Sequence, residues 1–179
     1  MGLFAKRQLL PALCVVLLAA CDGAAERRPV SVGAPAPAFQ AVTLQGDSIA
    51  LADMRGDAVL VNIWATWCPP CRQEMPGLQA LHEEYAGEGL HVLGVSIDSR
   101  SAGRDVATFT EDFGLTFPIL LDPEERVTRV FRTTGVPETF LIDREGEIVR
   151  RWIGLFDPMA EDTRASVAEA LRPRMERSS

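Results

Sequence analysis

Residues 38–173 predict an α/β domain in which a central mixed β-sheet is flanked by helices. Three observations carry this. Ala58–Trp64 (AVLVNIW) and Leu90–Asp98 (LHVLGVSID) are nearly unbroken apolar runs rich in Val and Ile, which read as strands buried on both faces. Between them Met75, Leu78, Leu81 and Tyr85 recur at steps of three and four, the spacing of an amphipathic helix. Thr139–Asp143 and Ile148–Gly154, joined by a tight turn at Arg144–Gly146, read as an antiparallel hairpin.

The chain begins with something else. Lys6 and Arg7 precede an apolar stretch, Leu9–Ala20, of twelve residues. That is short of the roughly 20 residues a membrane-spanning helix needs, and residues 1–20 read as a secretory signal peptide. Leu18-Ala19-Ala20-Cys21 resembles the lipobox of bacterial lipoproteins, which implies cleavage before Cys21 and lipid attachment to it. A plain signal peptide whose cut site happens to precede a cysteine is the alternative. Lipid would anchor the protein without spanning, each buried CH₂ contributing about 0.8 kcal/mol. Asp22 follows, a residue associated with inner-membrane retention in enterobacterial lipoproteins, so the expected place is the periplasmic side of that membrane. Without the leader, 16 arginines and no lysine stand against 25 acidic residues, a net charge of about −9. An acidic chain without a basic run is not built for nucleic acid.

Residues 21–37, small, polar and proline-rich, read as the lipidated N-terminus and tether, with a folded arm at their end. Phe39–Leu44 and Ile49–Leu51 follow as a hairpin about Gln45–Ser48. The helix after the first buried strand is expected from Pro69 to about Ala86, where Gly87 and Gly89 stop it. Strand–helix–strand in this order implies parallel strands. A polar loop then leads to a short helix over Val106–Phe113, a strand at Phe117–Asp122 and a helical turn or two at Glu124–Phe131. The hairpin comes next, then a closing helix over Asp162–Leu171 and a tail, 174–179. No internal repeat is present.

Once the leader is gone and Cys21 capped, Cys68 and Cys71 are the remaining cysteines, in "NIWATWCPPCRQEMP". A staple across so short a loop contributes only about 2 kcal/mol and constrains nothing distant. A structural zinc site wants four ligands, and His82 and His91 are not at ligand spacing from the pair. Covalent haem needs His directly after Cys71, where Arg72 stands. Electron exchange fits the placement. Cys68 falls where the strand ends and the helix begins, facing the free N–H groups and the positive end of the helix dipole, which favour a thiolate. Cys71, one turn on, is in reach to resolve a mixed disulfide. No cofactor or metal is required.

"VNIWATWCPPCRQEMP" together with "GVPETFLIDREGEIV" resembles the thioredoxin superfamily, within it the TlpA-like group that includes the ResA-like and CcmG-like proteins of cytochrome c maturation. The resemblance covers roughly residues 35–171. It implies a thioredoxin fold with an N-terminal β-hairpin and a strand–helix insertion, and thiol–disulfide oxidoreductase activity with Cys68 and Cys71 as the redox disulfide. It implies a cis bond before Pro137, which would aim the Val136 backbone at an incoming chain able to pair with it like an added strand. It implies protein thiol or disulfide clients, with apocytochrome c favoured, and a membrane thiol-transfer protein as electron donor. Where general thioredoxins carry a buried Asp on the strand before the motif, this chain has Asn62. The acid stands instead at Glu74, on the Cys71 side of the helix, matching a glutamate of the ResA-like and CcmG-like proteins. Two readings of Glu74 stand: a base for Cys71 during resolution, or a solvated helix residue.

Pro69 and Pro70 would occupy the first two helical positions, where proline is tolerated. They leave the Cys68 sulfur mainly the Cys71 N–H as donor, so its thiolate is less stabilised. A less stable reduced form makes a better reductant. Pro76 removes a helical hydrogen bond and predicts a kink. Trp64 reads as core; Trp67, beside Cys68, is either a substrate contact, with Pro69 and Pro70, or simple packing. Two other functions compete. "FPILLD" and "GVPETF" also resemble peroxiredoxin segments, but Ala65 stands where the peroxidatic arrangement needs Thr or Ser. A non-catalytic metallochaperone holding Cu(I) on the two thiols is the other.

Overall fold

Every residue of Ala58–Trp64 is buried, and the sheet is assembled around that run. The computed structural model describes residues 30–173. In chain order the elements are β1 (Gln40–Thr43), β2 (Ser48–Ala50), β3 (Ala58–Trp64), α1 (Pro69–Tyr85), β4 (Leu90–Ser96), α2 (Gly103–Asp112), β5 (Ile119–Leu121), α3 (Arg126–Phe131), β6 (Glu138–Ile142), β7 (Ile148–Ile153) and α4 (Glu161–Ala170). The strands form one mixed sheet in the order β2-β1-β5-β4-β3-β6-β7. β3, β4 and β5 run parallel, and the hairpins β1–β2 and β6–β7 join antiparallel on either side. This is the expected α/β architecture, a mixed sheet flanked by helices.

Side-chain alternation sends β3 into two cores. Ala58, Leu60 and Trp64 pack with Met75, Leu78 and Leu81 of α1, Val106 and Phe109 of α2 and Val167 of α4. Val59, Val61 and Ile63 face Phe39, Val127 and Phe131 across the other side. A strand covered on both faces must read as an unbroken apolar run, which is why its sequence identified it. The periodic face of α1 is the buried one, and the helix continues through Pro76. Of the two glycines expected to stop it, Gly89 takes the left-handed conformation (φ 95°).

The structure moves several expected boundaries. β4 ends at Ser96, because Asp98 turns away to bond the loop after β3. α2 begins at Gly103, and its first turn carries polar residues with no apolar period to betray it. Leu51, expected to end β2, starts a 3₁₀ turn that runs to Met54. The end of the segment read as tether is part of the fold: Pro35 bridges Glu147, and the Gly33 N–H donates to the Ile148 carbonyl at 2.8 Å. The segment read as a signal peptide, Cys21 and the tail at 174–179 lie outside the described residues.

Gly94 of β4 sits opposite Asn62 of β3, where a Cβ would meet Ile119 Cδ1 at 2.8 Å and Phe117 Cε2 and Trp64 Nε1 at 3.1 Å. Two of these belong to rings fixed in the core. Gly94→Ala should therefore destabilise the oxidised protein by about 1–3 kcal/mol, read as a lowered urea midpoint. An unchanged midpoint would mean the core yields at no cost.

Candidate active site

At the end of β3 the chain has three residues, Ala65 to Trp67, in which to reach the helix. Thr66 fixes their path: its N–H donates to Asp98 Oδ2 at 2.9 Å and its hydroxyl to Oδ1 at 2.6 Å. The Ser96 hydroxyl also donates to Oδ2, at 2.9 Å, so the buried carboxylate accepts from three donors. Cys68 then becomes the N-cap of α1 (φ −95°, ψ 106°), with Pro69 and Pro70 at the first two positions. Its sulfur accepts the Cys71 N–H at 3.2 Å, the donor the two prolines leave it. Cys68 and Cys71 are joined in a disulfide with Cα atoms 5.3 Å apart. Both are buried, Cys68 almost as fully as Cys71.

The Val136–Pro137 peptide is cis. The Pro137 carbonyl accepts the Gly154 N–H at 2.9 Å, which ties the turn to the end of β7. Val136 is half-buried and packs against the cluster containing both cysteines. Trp67, read from sequence as either contact or packing, is 65% exposed. It shares a cleft with Ile97, Gly135 and Val136. Pro69 is exposed and Pro70 half-buried on the same helix start. Trp64 is core, as expected.

Glu74 is no solvated helix residue. It is 1% exposed, and Oε1 accepts the Asn62 side-chain amide at 2.6 Å. The same amide nitrogen donates to Thr139 Oγ1 at 2.9 Å, so Asn62 ties the acid of α1 to β6. Oε2 has no hydrogen-bond partner among the described residues. Burial pushes the carboxyl up from the ordinary 4.5 to about 7, against smaller lowering effects of the Asn62 amide and the Phe156 backbone.

Two contributors had no role in the sequence reading. Asp98 anchors the approach to Cys68; its only signal was an acid closing a buried strand. Glu138, within the quoted Val136–Phe140 motif, is fully buried. It accepts the Thr134 N–H at 3.1 Å and the Arg151 side chain at 2.5 Å, so it holds the loop before Pro137 from below. Of the expected site residues, Trp67, Cys68, Pro69, Pro70, Cys71, Glu74, Val136 and Pro137 all lie in the described part. The two cysteines and Val136 meet in one cluster, and Trp67 and Val136 meet in one cleft. No group of three or more His, Cys, Asp or Glu suited to a metal ion occurs among the described residues.

Two neighbouring sulfurs that close a short ring at a helix end are suited to trading that bond for another. The protein is a thiol–disulfide oxidoreductase with the thioredoxin fold. The AhpC/TSA family profile matches residues 32–151, and the chain belongs to that family, among its ResA-like members of the thioredoxin superfamily. The thiol-disulfide oxidoreductase ResA of Geobacillus kaustophilus is 40% identical over 123 residues, 69% of this chain and 70% of that protein. The thioredoxin-like protein YneN of Bacillus subtilis is 39% identical over 120 residues, 66% of this chain and 69% of that one. A solved thiol:disulfide interchange protein of the thioredoxin family from Chlorobium tepidum is 31% identical with a TM-score of 0.68, covering 78% of this chain and 97% of that one.

The buried acid makes stability depend on pH. The folded protein keeps the Glu74 proton up to about pH 7, while the unfolded chain releases it near 4.5. The folded state binds more protons in that window, so stability falls as pH rises through it, by about 3 kcal/mol in all. Urea unfolding of the oxidised protein from pH 4 to 8 should show this decline, and Glu74→Gln should remove it. A decline that survives Glu74→Gln would assign it to another group.

Proposed function

We propose that the protein is a reductase of protein disulfides that works through the Cys68–Cys71 dithiol, held by lipid on Cys21 at the periplasmic side of the membrane. The observation that carries the direction is the N-cap of α1. With prolines at its first two positions, the Cys68 sulfur accepts the Cys71 N–H and gains no donor from residues 69 and 70. A weakly stabilised thiolate gives up its electrons readily.

In this reading the Cys68 thiolate attacks one sulfur of a client disulfide, and the client's other sulfur leaves as a thiolate that takes up a proton. Cys71 passes its proton to Glu74, directly or through water, and the new thiolate attacks the Cys68 sulfur. The Cys68–Cys71 disulfide forms, and the client's second sulfur departs and is protonated. The dithiol gives the client two electrons; the client's two protons come from solvent, which took the Cys68 proton when its thiolate formed, and from Glu74, which returns the Cys71 proton. A carboxyl titrating near neutrality is matched to that transfer. Val136 and Pro137 would align the client backbone beside the dithiol, with Trp67, Pro69 and Pro70 as the contact surface. The family resemblance favours apocytochrome c as client and a membrane thiol-transfer protein as the donor that restores the dithiol.

Cys68→Ala should abolish disulfide reduction, and Cys71→Ser should accumulate mixed disulfides whose partners can be identified after trapping in cells. Activity retained by Cys68→Ala overturns the proposal. Pro70→His should raise the reduction potential on the order of 30 mV, a tenfold shift in the exchange equilibrium. Measured against a glutathione redox buffer, an unchanged or lower potential would remove the argument for a reductase. A thiol peroxidase, favoured by the peroxiredoxin-like segments 117–122 and 135–140, would instead consume peroxide through Cys68 in the Cys71→Ser variant.

A further inference from the structure

Arg72 follows Cys71 directly, and the mechanism above does not use it. Its guanidinium carbon lies 5.0 Å from the ring centre of Phe109 and 5.2 Å from that of Phe113. The two rings stack on each other at 4.4 Å, and Phe109 rests on Trp64 at 4.7 Å. The last residue of β3 and one face of α2 thus form an aromatic platform under this one cation. Half of the described arginines find an acid, as Arg100 does in Glu124, Arg150 in Asp162 and Arg164 in Glu84. Arg72 has no ion pair and no side-chain hydrogen bond among the described residues, and it is exposed.

Its position is defined by the helix. Arg72 is four residues after Cys68, on the same stripe of α1, and its N–H donates to the Cys68 carbonyl at 3.3 Å. Helical side chains lean toward the N-terminus, so that of Arg72 lies over the turn that carries Cys68. A polypeptide laid across Cys68 passes beside it. A planar guanidinium fork matches a carboxylate, and the rings have already ordered the side chain that must do the matching.

We propose that Arg72, held on the Phe109–Phe113 platform, is a specificity-determining residue of the site and selects client disulfides flanked by an acidic side chain. This rests on the reading of the protein as a disulfide reductase. Synthetic peptides with one disulfide, identical except for Asp or Asn beside it, would be offered to the reduced protein and kcat/KM measured for each. The Asp peptide should be favoured about two- to five-fold at low salt, the range of an exposed ion pair. The preference should vanish at 1 M salt, where charges are screened beyond about 3 Å. Arg72→Gln should bring the ratio to one, Arg72→Glu should invert it, and Phe113→Leu, which keeps the charge but removes one ring, should narrow it. A parent protein indifferent to Asp overturns the proposal. So does an Arg72→Gln variant that slows both peptides equally while iodoacetamide alkylation of Cys68 slows in parallel, since Arg72 would then act on the sulfur and not on the client. Failure of the parent to reduce either peptide would instead remove the reductase reading itself.

Discussion

The site depends on where β3 stops. All seven of its residues are buried, so neither end can slide without dragging apolar side chains across the sheet, and a one-residue slip would exchange its two faces. Trp64 is therefore a fixed point. From it the chain must turn into a helix within a few residues, and Asp98 holds that turn through the Thr66 amide and hydroxyl. Three hydrogen bonds converge on this one side chain, from the Thr66 amide, the Thr66 hydroxyl and the Ser96 hydroxyl. The N-cap position of Cys68 follows from these constraints more than from any preference of cysteine for a cap.

A second constraint lies in the core between α1 and β3. An acid on α1 is buried against β3 and has one close donor, Asn62, with one oxygen unpartnered among the described residues. Folding alone would favour an apolar residue there, because an unpaired polar atom in the core is costly. The strain is confined, however. Asn62 donates to both Glu74 and Thr139, so the helix, the central strand and the strand after Pro137 share one polar link. A carboxyl that titrates near pH 7 can take up a proton in its ionised form and return it with little driving force either way.

How far the sequence reveals this depends on distance along the chain. β3, α1 and the Cys68 cap were legible because each is written in a local pattern: an apolar run, a three-four period, two prolines after a cysteine. Glu74 was found through resemblance, but its burial was not, since a lone acid on a helix looks the same whether it faces water or a strand. Asp98 acts 32 residues from Thr66, and Glu138 meets Arg151 across a hairpin. The one local signal, Asp98 closing a buried strand, does not say what it bonds, and Glu138 has none. The arm at residues 33–36 shares its small, polar composition with the segment before it that the sequence reads as a tether. It is held by backbone bonds to residues 146 and 148 of the β6–β7 hairpin, which carry no side-chain signature.

The two halves of the proposed chemistry are controlled by separate local features. The prolines act on Cys68 by withholding donors from its sulfur, which governs attack on the client. In the proposed mechanism Glu74 takes the Cys71 proton, which governs release. Neither feature reaches the other sulfur by a hydrogen bond among the described residues. An enzyme that set both steps with one group would have to compromise, since whatever stabilised the attacking thiolate would also alter the leaving one. Under the proposal the attacking sulfur is tuned at the helix end and the resolving sulfur by the buried acid, so reducing power and turnover can be set independently. The cation on the α2 platform adds a third control on the rim, where it bears on which chain arrives and leaves the sulfurs to their own surroundings.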